Sequence, residues 1–368
     1  MEQRIRTAVL GYGLAGSVFH APSIAALDTF SLDVIVTSDP ARQAAALAAH
    51  PSARVLSREE WDSATGDGAN SHENLDLVVV ATPPATHVRL ASRALAAGCA
   101  VVVDKPFTPS SAEGEALIAL AKARGQILTT YQNRRWDGEY LTLVKLLADG
   151  ALGSVHRFES RLERWQPVIT KAWKAQATVD AGGGILFDLG THLIDQALEL
   201  FGPVTRVHGE LAARRPAEMA DDDAFVALEH ANGVISHLWM NLTAAHKGPR
   251  LRVLGSEGAY VKQDGDIQEA QLQAGIRLGD ASYGVESPEQ WGNVWRAGEA
   301  APVPTERGDF SVFYELLADA ISQGGPVPVD PADSVEGLKI IELIRASAGR
   351  SLPGSATSGS ATSASADS

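Results

Sequence analysis

Residues 182–195 read GGGILFDLGTHLID, three glycines and an apolar run carrying Asp188, His192 and Asp195 at spacings of four and three. On a helix, residues three and four apart share a face, so carboxylate, imidazole and carboxylate stack along one stripe. That stripe suits a metal site, a helix cap, a satisfied core histidine or an acid–base group. Asp188 alone suits a helix start, where the positive dipole end favours an anion. An imidazole with a reference pKa of ~6.5 suits proton transfer near neutrality. No metal is expected, because no cysteine or second histidine completes a ligand set. Asp195 is expected to orient His192 or cap a loop.

A second stretch, VVVDKPF, places Asp104, Lys105 and Pro106 after three valines. In open α/β sheets ligands bind beyond the carboxyl ends of the strands. A lysine there is often only a solvated charge. Here its cation could also hold a substrate oxygen and stabilise a developing alkoxide.

A third stretch, GYGLAG, sets Gly11, Gly13 and Gly16 in the G-x-G-x-x-G spacing, with Tyr12 and Leu14 between them. It follows a strand and opens a helix, the context the motif requires. Gly11 permits a tight turn, Gly13 lets backbone approach a pyrophosphate, and Gly16 lets helix and strand pack closely. The next strand ends in VIVTSDPAR. Thr37, Ser38 and Arg42 suit the 2′-phosphate of NADP, whereas Asp39 suits the 2′-hydroxyl of NAD or merely starts a turn before Pro40. NADP is the expected cofactor, with NAD as the alternative.

These groups need a scaffold. Strands are expected at 5–10, 30–38, 75–84, 99–107 and 126–132, alternating with helices at 14–27, 40–50, 85–97 and 111–124. Nearly continuous apolar strands alternating with helices mark a doubly wound parallel sheet buried on both faces. After about residue 150 the pattern changes to a strand at 153–165, hairpins at 224–244 and 250–263, and amphipathic helices at 310–324 and 334–349. Asn232–Gly233 is a hairpin turn signal. The expected fold is therefore α/β, with an N-terminal doubly wound parallel sheet and a C-terminal α+β domain whose sheet is mostly antiparallel. The expected bounds are 1–128, 129–350 and a disordered Ser/Ala/Thr/Gly-rich tail over 351–368.

A chain of 368 residues fits two domains. Its net charge of −14, from 45 acidic and 31 basic residues, argues against nucleic-acid or anionic-membrane partners. The single cysteine, Cys99, rules out an internal disulfide and reads as a small buried hydrophobe. No apolar run reaches the ~18–20 residues of a membrane span, and no secretory leader is evident, so a cytoplasmic location is expected. Trp165 and Trp173 suit a wall over a ligand or a surface loop. Arg161, Arg164, Lys171 and Lys174 are expected to be solvated.

Taken in order, AVLGYGLAG, VVVATPPATH, VVVDKPF and GGGILFDLGTHLIDQ resemble the glucose–fructose oxidoreductase/inositol dehydrogenase (Gfo/Idh/MocA) family over about residues 5–350. GYGLAGSVFHAP, YQNRRWD and FDLGTHLIDQALELFG are similar to its scyllo-inositol dehydrogenase subgroup. The family commonly carries Glu-Lys-Pro where this chain has Asp104-Lys105-Pro106. The resemblance implies a Rossmann domain, an NAD(P)-dependent dehydrogenase, a polyol or sugar substrate such as scyllo-inositol or its inosose, and a homodimer or homotetramer. It implies Lys105 as the catalytic lysine, with Asp188 and His192 beside the reacting carbinol. It places Thr82, Pro83 and His87 along the nicotinamide side, and Asn133 and Arg134 against the substrate. A different sugar, or a regulator that binds NADP(H) without turnover, are the alternatives.

Overall fold

Apolar strands fill the first half of the chain. The computed structural model describes residues 4–64, 75–169, 178–179, 182–215 and 220–348; Lys171, Trp173, Lys174 and the 351–368 tail lie outside them. Strands β1 (Ile5–Leu10), β2 (Phe30–Val36), β3 (Arg54–Leu56), β4 (Leu77–Val80), β5 (Ala100–Asp104) and β6 (Leu128–Tyr131) form one parallel sheet in the order β3-β2-β1-β4-β5-β6. Every residue of β4 is buried, as a strand covered on both faces must be. The helices are α1 (Ala21–Ala26), α2 (Pro40–Ala49), α3 (Arg58–Ala64), α4 (His87–Ala96) and α5 (Ser111–Arg124). A wide turn over Ala15–His20 precedes α1 and closes with Ala21 N–H donating to the Gly16 carbonyl. The helix expected over 14–27 is thus split, with Pro22 in the first turn of α1.

Local chemistry sets the ends. The Asp39 side chain accepts N–H bonds from Ala41 and Arg42 and so caps α2. Ser110 caps α5, and Gly125 at φ 64° closes it. Cys99 is buried with its thiol pushed up to about 11 by that burial.

After α6 (Gly138–Ala148), β7 (Val155–Glu163) enters a second sheet. Next come α7 (Ile185–Asp188), α8 (Gly190–Phe201), β8 (Val204–Ala212), β9 (Asp223–His230), β10 (Ile235–Asn241), β11 (Leu251–Gly255), β12 (Ala259–Lys262), α9 (Gln268–Gln273), β13 (Gly292–Arg296) and β14 (Glu299–Val303). The strand order is β14-β13-β12-β11-β7-β10-β9-β8, and only the β7–β10 pair is parallel. Both expected hairpins are present as β9–β10 and β11–β12. Burial alternates along β9 and β10, so one face carries the core and the other stands open. Arg161 was expected in solvent. Instead its guanidinium lies 3.8 Å over the Trp239 ring and its side chain is 15% exposed.

Two last helices tie the halves together. Phe313, Tyr314 and Leu317 of α10 (Val312–Gln323) join the core of the first sheet. Leu338, Ile341 and Ile344 of α11 (Pro331–Ala348) join the core of the second. No described helix is long and apolar enough to cross a membrane.

Beneath α8 lies a buried ion pair. Arg250 Nε stands 3.1 Å from Glu139 Oε1, at side-chain exposures of 4% and 0%. The same guanidinium donates to Ser160 Oγ and to Gln196 Oε1. Removing one partner of such a pair strands the other charge. Arg250→Met is therefore expected to cost about 3–5 kcal/mol in urea unfolding. Adding Glu139→Leu should recover most of that loss, and a single-variant cost below about 1 kcal/mol would refute the assignment.

Candidate active site

The cleft lies beyond the carboxyl ends of β1, β4 and β5. Gly11 sits at φ 103°, and a Cβ there would strike the Ala81 carbonyl of the loop after β4. A Cβ on Gly16 would strike the Gly11 carbonyl, so close packing demands both glycines. At Gly13 a Cβ would meet only Arg42 Nη1, at 3.9 Å, within 4 Å. The loop thus leaves its open side to a ligand, with one guanidinium above it. Tyr12 is buried and Leu14 is 48% exposed. This cradle fits a dinucleotide: tight turn, bare backbone, adjacent cation. Arg42 has no side-chain partner among the described residues. Thr37 is buried and Ser38 is exposed, its Oγ accepting the Arg58 N–H at 3.0 Å. Asp39 spends one carboxylate oxygen on its own helix start, with bonds of 2.9 and 3.0 Å.

Thr82 and Pro83 follow β4, and the Thr82 hydroxyl lies 2.6 Å from that of Thr86. His87 differs from expectation. It is wholly buried, with Nε2 2.7 Å from the Thr82 carbonyl and Nδ1 3.0 Å from that of Pro106. Both ring nitrogens thus face protein carbonyls. The ring, kept neutral by burial, donates to one of these carbonyls and packs against the other, between the loops after β4 and β5.

Lys105 emerges from β5 just before that second loop. Its Nζ donates to the Asp188 carboxylate and to the Asp188 carbonyl, each at 3.0 Å, across 83 residues. The Lys105 and Asp188 side chains are 21% and 37% exposed, so the pair is open to a ligand. Asp188 ends α7 and His192 lies in the first turn of α8. The imidazole is 4% exposed, and its Nδ1 is buried without a partner among the described residues. Burial first, then the charges of Lys105 and Arg134, hold its pKa well below the ordinary value, so it is neutral.

The continuous stripe expected from spacing is broken. The helix interrupts between Asp188 and Gly190, and Asp195 turns to Arg135 with bonds of 2.9 and 2.7 Å. Arg135 also binds Glu199 at 3.0 Å and Asp333 at 2.9 Å, so Asp195 is structural. Asn133 and Arg134 lie in a short 3₁₀ turn facing α8. Gln196 Nε2 donates to the Arg134 carbonyl, and the Arg134 guanidinium is held by Asp137 at 2.8 Å. Arg134 thus acts on His192 as a buried charge. Asn133 is 8% exposed.

Glycines at 182–184 could let backbone pass close to a ligand. Protein fills that room. Gly184, at φ 101°, gives way to the Asp221 carboxylate, and Gly182 to the Phe187 ring. Asp221 accepts the Leu186 N–H at 2.7 Å, and Arg345 of α11 donates to the Gly183 carbonyl at 2.7 Å. Sequence reading missed both residues; they hold the segment that carries Asp188. Trp165 is 57% exposed, its backbone bridged to Thr243.

Two family models match this chain. Residues 5–132 match the oxidoreductase family with an NAD-binding Rossmann fold, and residues 140–261 match the GFO/IDH/MocA C-terminal domain. The chain is 36% identical to the oxidoreductase YdgJ of Escherichia coli K12, covering 93% of this chain and 96% of YdgJ. It is 31% identical to the scyllo-inositol 2-dehydrogenase (NADP(+)) IolW of Bacillus subtilis 168, over 94% of each. A solved oxidoreductase structure from Yersinia pestis superposes with a TM-score of 0.84 at 36% identity, covering 95% of this chain and 96% of that one.

Proposed function

The chain belongs to the GFO/IDH/MocA oxidoreductase family, and from that premise we propose that it is an NAD(P)-dependent dehydrogenase of a ring carbinol in a polyol or sugar. One observation carries the reading: Lys105 Nζ stands 3.0 Å from the Asp188 carboxylate, with neutral His192 beside them, beyond the end of β5. A binding module needs no such trio. Residues 1–128 would hold the dinucleotide and residues 129–350 the substrate. Scyllo-inositol or its inosose is the proposed substrate, supported by the subgroup motifs and the similarity to IolW.

The chemistry that a bound nicotinamide supplies is hydride transfer. Lys105 donates hydrogen bonds to the carbinol oxygen and stabilises its developing charge. His192, already unprotonated, takes the hydroxyl proton. Asp188 holds Lys105 in place and offsets positive charge on the imidazole. In the reverse direction the imidazolium returns the proton to the ketone oxygen. Thr82, Pro83, Gly11, Gly13 and Gly16 shape the cofactor side, while Asn133 and Arg134 flank the substrate side. The open face of the second sheet, with Phe225, His237 and Trp239, would receive a second copy.

Absorbance at 340 nm with NAD⁺ and NADP⁺ against a panel of inositols and monosaccharides tests the reading. Binding of NADPH without turnover of any polyol or ketone would instead favour a regulator. NADP preference is proposed from Arg42 over Gly13 and from the engagement of Asp39 in its own helix cap. Arg42→Ala is expected to raise the KM for NADP⁺ about tenfold or more, the loss of one charge-assisted bond of ~1.5–3 kcal/mol. The KM for NAD⁺ should stay within about twofold; equal effects on both cofactors would remove Arg42 from 2′-phosphate recognition.

A further inference from the structure

His20 ends the turn that begins at the phosphate loop, and it is wholly buried. Its Nδ1 lies 2.7 Å from the Tyr314 hydroxyl of α10. Its Nε2 is buried with no hydrogen-bond partner and faces Asp104 Oδ1 at 3.9 Å. That same Asp104 oxygen accepts the backbone N–H of Lys105 at 2.8 Å. The Tyr131 ring closes the other side, 4.3 Å from the imidazole.

A buried nitrogen without a partner calls for an explanation. Two tautomers are open to a neutral ring. If Nδ1 carried the proton, the Nε2 lone pair would face a carboxylate. If the Tyr314 O–H donates to Nδ1, Nε2–H points at the carboxylate and attracts it. The second arrangement puts a proton rather than a lone pair toward the carboxylate, across 3.9 Å. At that distance the contact is electrostatic rather than a formed hydrogen bond.

We propose that His20 is a positioning residue for Lys105: its Nε2–H, oriented by Tyr314, keeps the Asp104 carboxylate charged and seated on the Lys105 backbone. Burial lowers the His20 pKa to about 3, so the ring stays a neutral donor. Burial also raises Asp104 to about 6, where the loss of one donor changes its charge near neutrality. The charged and titratable groups around the pair are Lys105, Tyr131, Tyr314 and Asp188. Nothing else in the proposed reaction uses His20. The inference rests on Lys105 being catalytic.

The test follows the Asp104 titration by ¹³Cγ-aspartate NMR, with the resonance assigned by its loss in Asp104→Asn, alongside kcat and KM. His20→Phe is expected to raise the Asp104 midpoint by about one pH unit. It should lower kcat about tenfold with KM within about twofold, because a misplaced lysine fails in the transition state rather than in binding. His20→Gln, whose amide N–H reaches in the same direction, should restore the midpoint and most of kcat. Tyr314→Phe removes only the hydroxyl and should shift the midpoint the same way by less; it serves if His20→Phe does not fold. An unchanged midpoint in His20→Phe, or in Tyr314→Phe where the first does not fold, overturns the inference. So does an equal shift in the Phe and Gln variants. The NMR readout needs no substrate, so failure to turn over any polyol or sugar refutes the proposed function and leaves this inference to be decided separately.

Discussion

Lys105→Ala is expected to lower kcat/KM by about 10²–10³-fold on whichever polyol or sugar the wild-type chain accepts, the usual loss when one preorganised donor to a developing oxyanion is removed. Two features make this a catalytic loss rather than a folding one. The lysine and Asp188 side chains are 21% and 37% exposed, so the ion pair holds the fold by only ~0–1 kcal/mol. The loop bearing Lys105 is separately braced by the buried His87 ring, which lies between the carbonyls of Thr82 and Pro106 and donates to one of them. Thermal unfolding of the variant should therefore stay near wild type while the rate collapses. Lys105→Arg tests geometry: the charge remains, but a planar fork replaces a point donor 3.0 Å from two Asp188 oxygens. A variant retaining rates within threefold of wild type would remove Lys105 from the chemistry.

Local features were readable in the residues themselves. Gly11, Gly13 and Gly16 lie within six positions of the strand they follow, so their spacing announced the loop. Helix α5 spans 111–124 as expected, with Gly125 as its stop. Partnerships across long separations were not readable. Asp221 meets Leu186 from 35 residues away, and His20 meets Tyr314 from 294. No period or motif links such pairs; only the folded backbone does. Asp195 illustrates the same limit. Its spacing put it in line with His192, yet Arg135 draws its carboxylate aside. Short or polar elements left little trace either: β3 has three residues, and β14 reads EAAPV with scarcely a buried side chain. Helix α6 is a different case. Its start after Asp137 and its buried Tyr140 and Leu143 carried a helical signal that was overlooked.

His192→Ala should lower kcat for alcohol oxidation by about 10²–10⁴-fold, the range for a positioned general base. Its pH dependence identifies the group. Burial and the charges of Lys105 and Arg134 hold the folded-state pKa well below 6.5, so the imidazole is already the base form at neutrality. Oxidation in the wild type should therefore stay flat as pH falls through 6.5, and decline only at lower pH. Ketone reduction needs the imidazolium and should rise as pH falls through the same range. The sign for stability follows from linkage: below 6.5 the unfolded chain binds a proton that the native ring refuses. The stability present above 6.5 is thus lost progressively as pH falls toward the folded pKa. His192→Ala should flatten that loss in part, since His20 and His87 are lowered by burial as well. The kinetic and equilibrium readouts must then agree on one group. An acid limb for oxidation at or above pH 6.5, or a limb that persists unchanged in His192→Ala, would assign the proton to another residue.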